Sequence, residues 1–386
     1  MITPAQRIAE VKEYYFSKKL KEIAQLNAEG KNIISLGIGS PDLPPSETTL
    51  NALCSEAQKN DAHGYQPYNG TYELRNAFAS WYKKWYHVDL SPTDEILPLI
   101  GSKEGILHIT LAFVNPGDQV LIPNPGYPTY SSLSKLLGAE IVNYDLKEEN
   151  NWIPDFNALE KMDLSKVKIM WMNYPNMPTG TRASRELFEK AVGFAQKHNI
   201  LIVNDNPYSF ILNDDLLSIL QLPGAKECCI EMNSLSKSHN MPGWRIGMIA
   251  AKSDFINWII RVKSNIDSGM FKAMQLAAAE ALNAEKDWHT GMNEIYRERR
   301  QIAEKIMTRL ECNFNTDQMG MFLWGRIPDG YKNSEELADR ILYNANVFLT
   351  PGSIFGSNGD RYIRISLCCP ASRLEEAFNR IDKNIK

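Results

Sequence analysis

A lysine set among hydroxyls, Ser234-Leu235-Ser236-Lys237, with an arginine eight positions on at Arg245, is an unusual grouping. An amine near other cations gives up its proton more easily, and a neutral lysine amine forms a Schiff base with a carbonyl. The plain alternative is a solvated loop lysine. Upstream, Asp205 and Tyr208 stand in Asn204-Asp205-Asn206-Pro207-Tyr208, directly after an apolar run at 200–203. A carboxylate at the end of a buried strand is costly unless a cation meets it; otherwise such an aspartate caps a turn. Gly101-Ser102-Lys103-Glu104 opens a helical stretch, where backbone N–H groups and the helix dipole suit a phosphate, or where the turn is simply a cap. Asn173-Tyr174-Pro175-Asn176-Met177-Pro178-Thr179-Gly180 fixes an unusual backbone through its prolines and glycine, for a site or for a structural turn.

These residues need elements that bring them together. Between about 95 and 251 the chain reads as α/β: short apolar runs at 96–100, 119–122, 168–172, 200–203, 228–232 and 246–251 alternate with helical stretches such as 103–113 and 184–198. Apolar strands alternating with helices mean a mostly parallel sheet covered on both faces. In open α/β sheets ligands bind at the carboxyl ends of the strands, and every candidate above follows a strand. A phosphate cradle, a buried acid, a phenol, an amine and a guanidinium then share one sheet edge. Pyridoxal 5'-phosphate needs such a set. The lysine forms the Schiff base and shuttles protons, the carboxylate keeps the pyridine nitrogen protonated, and arginine and hydroxyls neutralise the phosphate. The last third reads as α+β, with a helix over 288–310, a strand at 321–325, a helix at 334–345, strands at 347–350 and 362–366, and a final helix. Residues 3–30 read as one helix ending at Gly30, and the prolines of 40–48 exclude regular structure there.

Composition bounds the classes. The 386 residues carry 46 acidic and 42 basic side chains, for a net charge of −4, and 44% are hydrophobic. This is a globular composition, and it excludes collagen, low-complexity disorder and disulfide scaffolds. Mild acidity gives no reason to expect a nucleic-acid or anionic-membrane partner. No apolar run approaches a bilayer span, and the charged N-terminal stretch has no signal-peptide core. Six cysteines, two adjacent pairs and two singletons, fit neither a zinc spacing nor a CxxC motif and suggest reduced thiols in a cytoplasmic protein. The histidines show no ligand spacing, so no metal site is expected.

The run Ser234-Leu235-Ser236-Lys237-Ser238-His239-Asn240-Met241-Pro242-Gly243-Trp244-Arg245-Ile246-Gly247 resembles the lysine signature of class I aminotransferases over its whole length, and the resemblance extends from about Ser35 to Cys368. It implies the fold type I architecture of pyridoxal-phosphate enzymes. A large domain over 46–275 holds a mostly parallel seven-stranded sheet, and a small α+β domain is built from 1–45 and 276–386. It also implies a homodimer with active sites at the subunit interface. Carried over by motif, Lys237 is the Schiff-base lysine, Asp205 pairs with the pyridine nitrogen, and Tyr208 hydrogen-bonds the ring hydroxyl O3′. Tyr127, in Asn124-Pro125-Gly126-Tyr127-Pro128, stacks on the ring; Ser102, Lys103, Ser234 and Arg245 bind the phosphate; Tyr65 reaches the phosphate of the neighbouring subunit. Arg364 clamps the substrate carboxylate, and Ile38 and Gly39 lie against the substrate. Arg361, the rival clamp, points to the other side of its strand. One departure stands out: where the family has an asparagine donating to O3′, this chain has Met177, whose thioether cannot donate. Either Asn173 or Asn176 substitutes, or Tyr208 and Lys237 satisfy O3′ without it.

The resemblance implies amino transfer from an amino acid to a 2-oxo acid by a ping-pong route. A carbon–sulfur β-lyase on the same fold is the alternative, and a non-enzymatic effector-binding module is a third reading. The general look is similar to the aspartate, alanine and LL-diaminopimelate aminotransferase branch, which does not choose a donor. Gly269-Met270-Phe271 either lines the side-chain pocket or is a plain interdomain crossing.

Overall fold

The computed structural model describes residues 2–8 and 15–385. Its strands are β1 (Ile34–Ser35), β2 (Ile96–Leu99), β3 (Gln119–Asn124), β4 (Glu140–Asp145), β5 (Val167–Met172), β6 (Leu201–Asp205), β7 (Cys229–Ser234), β8 (Gly247–Ala250), β9 (Phe322–Arg326), β10 (Val347–Phe348), β11 (Thr350–Pro351) and β12 (Tyr362–Ser366). A seven-stranded sheet has the order β2-β8-β7-β6-β5-β3-β4. β8 runs antiparallel to both its neighbours, and the remaining pairs are parallel. Alternate residues feed two cores. Ile169, Trp171, Val203 and Ile230 pack with the helices Ser102–Phe113 and Ser253–Lys263, whereas Met170, Met172 and Ile202 pack with Tyr72–Tyr86 and Arg185–His198. A sheet buried on both faces needs apolar residues at nearly every strand position, which is why these strands are readable as runs.

β11-β12-β9 form a second, antiparallel sheet. It shares a core with the helices Lys286–Arg309, Ser334–Ala345 and Ala371–Asn384. β1 pairs in parallel with β10. That short ladder fastens the segment after the first helix to the C-terminal third, so Ile38 and Gly39 are delivered to the same place as Arg364 on β12. No described helix is long and apolar enough to cross a membrane.

Several expectations change. The helix expected over 3–30 is Tyr15–Ala28, preceded by a single 3₁₀ turn at Gln6–Ile8; residues 9–14 lie outside the described residues. Gly30 does end it, in a left-handed conformation (φ 84°). The strand expected at 347–350 is two strands in different sheets, because β10 turns to β1 while β11 turns to β12. β4 went unread. It is the sheet edge, and Glu-Ile-Val-Asn-Tyr-Asp is mostly solvated, so the apolar run that marks a central strand is absent.

Arg299 on the helix Lys286–Arg309 holds the irregular N-terminal segment in place. It grips Asp42 through two nitrogens, at 2.7 and 2.9 Å, and Leu367 O at 3.0 Å. The Arg299 side chain is 4% exposed and that of Asp42 23%. Breaking a buried pair leaves an uncompensated charge, so Arg299→Met is expected to lower unfolding free energy by about 3 kcal/mol in urea titration. The double variant with Asp42→Asn should cost less than the sum of the two single changes.

Candidate active site

A cavity of about 740 Å³ opens at the carboxyl ends of β5, β6 and β7. It brings together Ile38, Gly39, Ser102, Lys103, Tyr127, Asn173, Asp205, Tyr208, Ser234, Lys237, Arg245 and Arg364. Asn176 does not line it, and neither does Tyr65, which is 93% exposed. None of Gly269, Met270 and Phe271 lines it either; Phe271 stacks on His63 at 5.7 Å.

The lysine and the arginine arrive together because β7 and β8 are antiparallel neighbours. β7 ends at Ser234, which pairs with Gly247 at the start of β8. The intervening connection begins with the one-turn helix Leu235–Ser238 and ends at Arg245, held in the left-handed region (φ 57°). Lys237 Nζ donates to Gly39 O. Burial, joined by the positive charges of Arg364 and Arg245, lowers the Lys237 pKa, although the Cys368 sulfur acts the other way. A depressed amine pKa is what a nucleophile requires.

The phosphate-sized corner lies beside it. The helix Ser102–Phe113 begins after Gly101, which sits at φ 77° and supplies no side-chain cap, and its first residues Ser102 and Lys103 line the cavity. Gly101 holds a left-handed φ that favours glycine, and a Cβ there would meet the end of the Arg245 side chain. Ser234 Oγ and Ser236 Oγ, 2.9 Å apart, add hydroxyls. The helix itself is anchored by Glu104. Burial alone would raise this carboxyl, but hydrogen bonding to His108 and Asp267 and the Lys263 charge hold it at about 2. Glu104, His108 and Asp267 have the spacing of a metal cluster, yet the Lys263 ammonium already fills it, 3.1 Å from Glu104 and 2.5 Å from Asp267.

Asp205 ends β6. Its Oδ2 accepts from Tyr130 Oη at 2.8 Å, and its Oδ1 is buried with no hydrogen-bond partner among the described residues. Burial raises its pKa from 3.8 to about 6, with the Tyr130 hydrogen bond lowering it and the Glu231 charge adding to the rise. An orphaned carboxylate oxygen beside a lysine and a phosphate corner fits a protonated pyridine. The residues present therefore fit pyridoxal phosphate. Tyr208, whose phenol burial raises in pKa, packs edge-on to Phe322 at 5.9 Å.

In the turn after β5, Asn173, Asn176 and Met177 each have partners within the protein. Asn173 Nδ2 donates to Asp205 O at 2.6 Å and its Oδ1 accepts from Met177 N at 2.8 Å. Asn176 caps its own turn, accepting from Thr179 Oγ1 at 2.7 Å. Met177 points its sulfur at Arg364 Nη1, 3.2 Å away. Arg364 is 4% exposed, donates to Gly37 O at 2.7 Å, and lies 3.9 Å from the Phe322 ring centre and 4.7 Å from that of Phe355. Arg361 instead donates to Pro328 O at 2.7 Å, outside the cavity.

Sequence reasoning missed Tyr130, Phe322, Phe355 and the wall formed by Phe16, Ser17, Leu20 and Lys21 of the first helix. Tyr130 had a signal, one helical turn after Tyr127. The others had none, since their placement depends on how distant segments meet.

Comparison with known proteins agrees with this geometry. The profile of the family described as aminotransferase class I and II matches residues 31–381. The chain is similar to the LL-diaminopimelate aminotransferase of Dehalococcoides mccartyi, 42% identical over 98% of this chain and 97% of the relative. It is similar to that of Aquifex aeolicus as well, 40% identical over 99% of each. Among solved structures, substrate-bound BacF of Bacillus subtilis has a TM-score of 0.95 at 34% identity, covering 99% of this chain and 98% of that one. A probable N-succinyldiaminopimelate aminotransferase of Thermus thermophilus has a TM-score of 0.89 at 33% identity, covering 95% and 99%.

A carboxyl with a raised folded-state pKa stabilises the fold below its unfolded value of 3.8 and loses that contribution as pH rises through about 6. For the apoenzyme, Asp205→Asn is thus expected to raise unfolding free energy at pH 7.5 by up to about 3 kcal/mol, taking 1.36 kcal/mol per pKa unit. The gain should shrink towards zero near pH 4, measured by denaturant titration at both values.

Proposed function

The chain belongs to the class I and II aminotransferases, and from that premise we propose that it moves an amino group between LL-diaminopimelate and a 2-oxo acid. Its activity is pyridoxal-phosphate-dependent amino transfer. The choice of donor rests on one observation: relatives named for LL-diaminopimelate match the whole chain at 40–42% identity. Nothing in the comparisons favours a carbon–sulfur lyase.

The bound cofactor supplies an electron sink for the carbanion at the substrate Cα. Lys237 would hold it through its Nζ and would carry the proton at Cα. Asp205 Oδ1 would meet the ring nitrogen, Tyr208 would donate to O3′, and Tyr127 would pack on the ring. Ser102 and Lys103 through their N–H groups, Ser234 and Arg245 take the phosphate. Arg364 pairs with the substrate α-carboxylate in bidentate fashion, with Ile38 and Gly39 closing over it. Lys237 Nζ already donates to Gly39 O, so the N-terminal segment and the reacting amine are in direct contact. The distal end of a long amino acid reaches the wall made by Ser17 and Lys21, which suits a substrate polar at both ends. We assign 46–275 to a large domain and 1–45 with 276–386 to a small one, in keeping with the separate cores around the two larger sheets. The free state of all six cysteines supports a reducing, cytoplasmic setting.

The donor assignment is tested by single turnover of the holoenzyme with a panel of amino acids, followed by loss of cofactor absorbance. LL-diaminopimelate should react fastest, with 2-oxoglutarate restoring the starting spectrum. A faster reaction with aspartate, alanine or an aromatic donor would overturn it. Lys237→Ala should reduce turnover by several orders of magnitude with every donor.

We also place the active sites of a homodimer at its interface, with Tyr65 serving the neighbouring subunit. Tyr65, Tyr68 and Phe271 are exposed aromatic residues on one chain. Lys237→Ala and Tyr65→Ala homodimers should each be impaired, yet a mixed dimer then holds one site with both native residues. Mixing them should restore activity towards a quarter of the wild-type level at random exchange. No recovery after verified exchange would mean that Tyr65 acts within its own chain.

A further inference from the structure

Tyr130 is fully buried in the helix Pro128–Leu136. Its ring lies flat on Trp171 of β5, 4.9 Å between centres at 7°, and edge-on to Tyr127 at 5.5 Å. These contacts leave the phenol a narrow range of directions, and the oxygen meets Asp205 Oδ2 at 2.8 Å. Burial and the Asp205 charge keep the phenol protonated far beyond neutral pH, so it acts as a donor throughout. We propose that Tyr130 is a positioning residue for the cofactor: by occupying Oδ2 it leaves Oδ1 as the oxygen that meets the pyridine nitrogen, and it keeps Asp205 ionised there.

The argument is one of competing costs. Asp205 lies in a nearly water-free position, and desolvation favours its neutral form. Glu231, on the adjacent strand β7, pushes the same way. Glu231 is itself wholly buried and is stabilised by Tyr82 Oη at 3.0 Å, Asn204 Nδ2 at 3.0 Å and Ile219 N at 3.1 Å, which do not serve Asp205. Tyr127 and Tyr208 are the other titratable side chains acting on Tyr130; both are phenols, and burial raises that of Tyr208. The hydrogen bond from Tyr130 is therefore the interaction at the Asp205 side chain that favours its charge before the cofactor arrives. A neutral Asp205 would donate to an unprotonated pyridine, and the ring would lose the positive charge that makes it an electron sink.

The proposal rests on Asp205 facing the ring nitrogen, and the test separates the two. Holoenzymes of the wild type, Tyr130→Phe, Tyr130→His and Asp205→Asn are loaded with pyridoxal phosphate labelled at the ring nitrogen. Nitrogen NMR of the resting enzyme reports protonation, and equilibrium dialysis reports cofactor affinity. Tyr130→Phe retains the stacked ring and loses only the hydroxyl. It should move the nitrogen signal from the pyridinium position towards neutral pyridine and weaken cofactor binding by about tenfold or more, as loss of a hydrogen bond to a charged group does. Tyr130→His, which retains a ring donor, should recover part of both effects. A pyridinium signal and affinity unchanged in Tyr130→Phe, but lost in Asp205→Asn, would overturn the role of Tyr130 alone. Unchanged signals in both variants would overturn the Asp205 assignment with it. Equal losses in Tyr130→Phe and Tyr130→His together with a lowered apoenzyme melting temperature would mark a structural role and overturn the proposal.

Discussion

The site depends on a carboxylate kept out of water. Asp205 is the last residue of β6, the middle strand of the seven-stranded sheet, with β5 and β7 on either side and helices on both faces. Asp205 is 6% exposed, and an ionised group there is unfavourable by several kcal/mol until donors meet it. The fold supplies one donor, Tyr130, and leaves one oxygen unsatisfied. That unsatisfied oxygen is a stored preference for a cation of the right shape. The same strand carries Asn204, whose amide satisfies Glu231, so two buried acids stand on neighbouring strands with separate sets of donors. One acid is complete within the protein, and the other keeps one oxygen open at the cavity.

Around this fixed point the reacting groups come from segments far apart in sequence, and backbone contacts rather than side chains draw them in. Gly37 O meets Arg364, Ile38 O accepts from Ser366 Oγ at 2.8 Å, and Gly39 O meets Lys237. A Cβ on Gly37 would strike the Phe348 ring and one on Gly39 the Phe322 ring. The absence of side chains at Gly37 and Gly39 lets the carbonyls of residues 37, 38 and 39 all serve as acceptors near the cavity. β1 with β10, and the Asp42–Arg299 pair, fix the two ends of this segment. The N-terminal stretch is thereby part of the catalytic apparatus, although most of it has no regular structure.

How much of this was legible follows from what each feature depends on. The central strands could be read because burial on both faces demands apolar runs, and Lys237, Asp205 and the Ser102 turn because each directly follows such a run. β4 could not, since an edge strand exposes its side chains and loses the pattern. The split between β10 and β11 depends on which partner each pair of residues meets, information held in β1 and β12 rather than locally. The aromatic walls against Arg364 were hidden for the same reason: Phe322 and Phe355 are 42 and 9 residues from it in sequence and look like ordinary core positions. Sequence shows chemistry carried by a motif and hides chemistry carried by a meeting of segments.

Met177 shows the limit most clearly. From its type, a thioether in place of a donor is a deficit at O3′. In the fold its sulfur faces a buried guanidinium instead, with aromatic rings on the flanks of that cation and a carbonyl on its second arm. Sulfur is a weak acceptor, so the contact holds Arg364 Nη1 in the cavity without satisfying it strongly. A carboxylate offers a charge-assisted bond roughly twice as strong as a neutral one and displaces the sulfur at small cost. An amide oxygen at that point would compete for the same N–H. The methionine therefore places a polarizable sulfur against the Arg364 guanidinium, where an asparagine would place an amide. Like Asp205, Arg364 is a buried charge that lines the cavity.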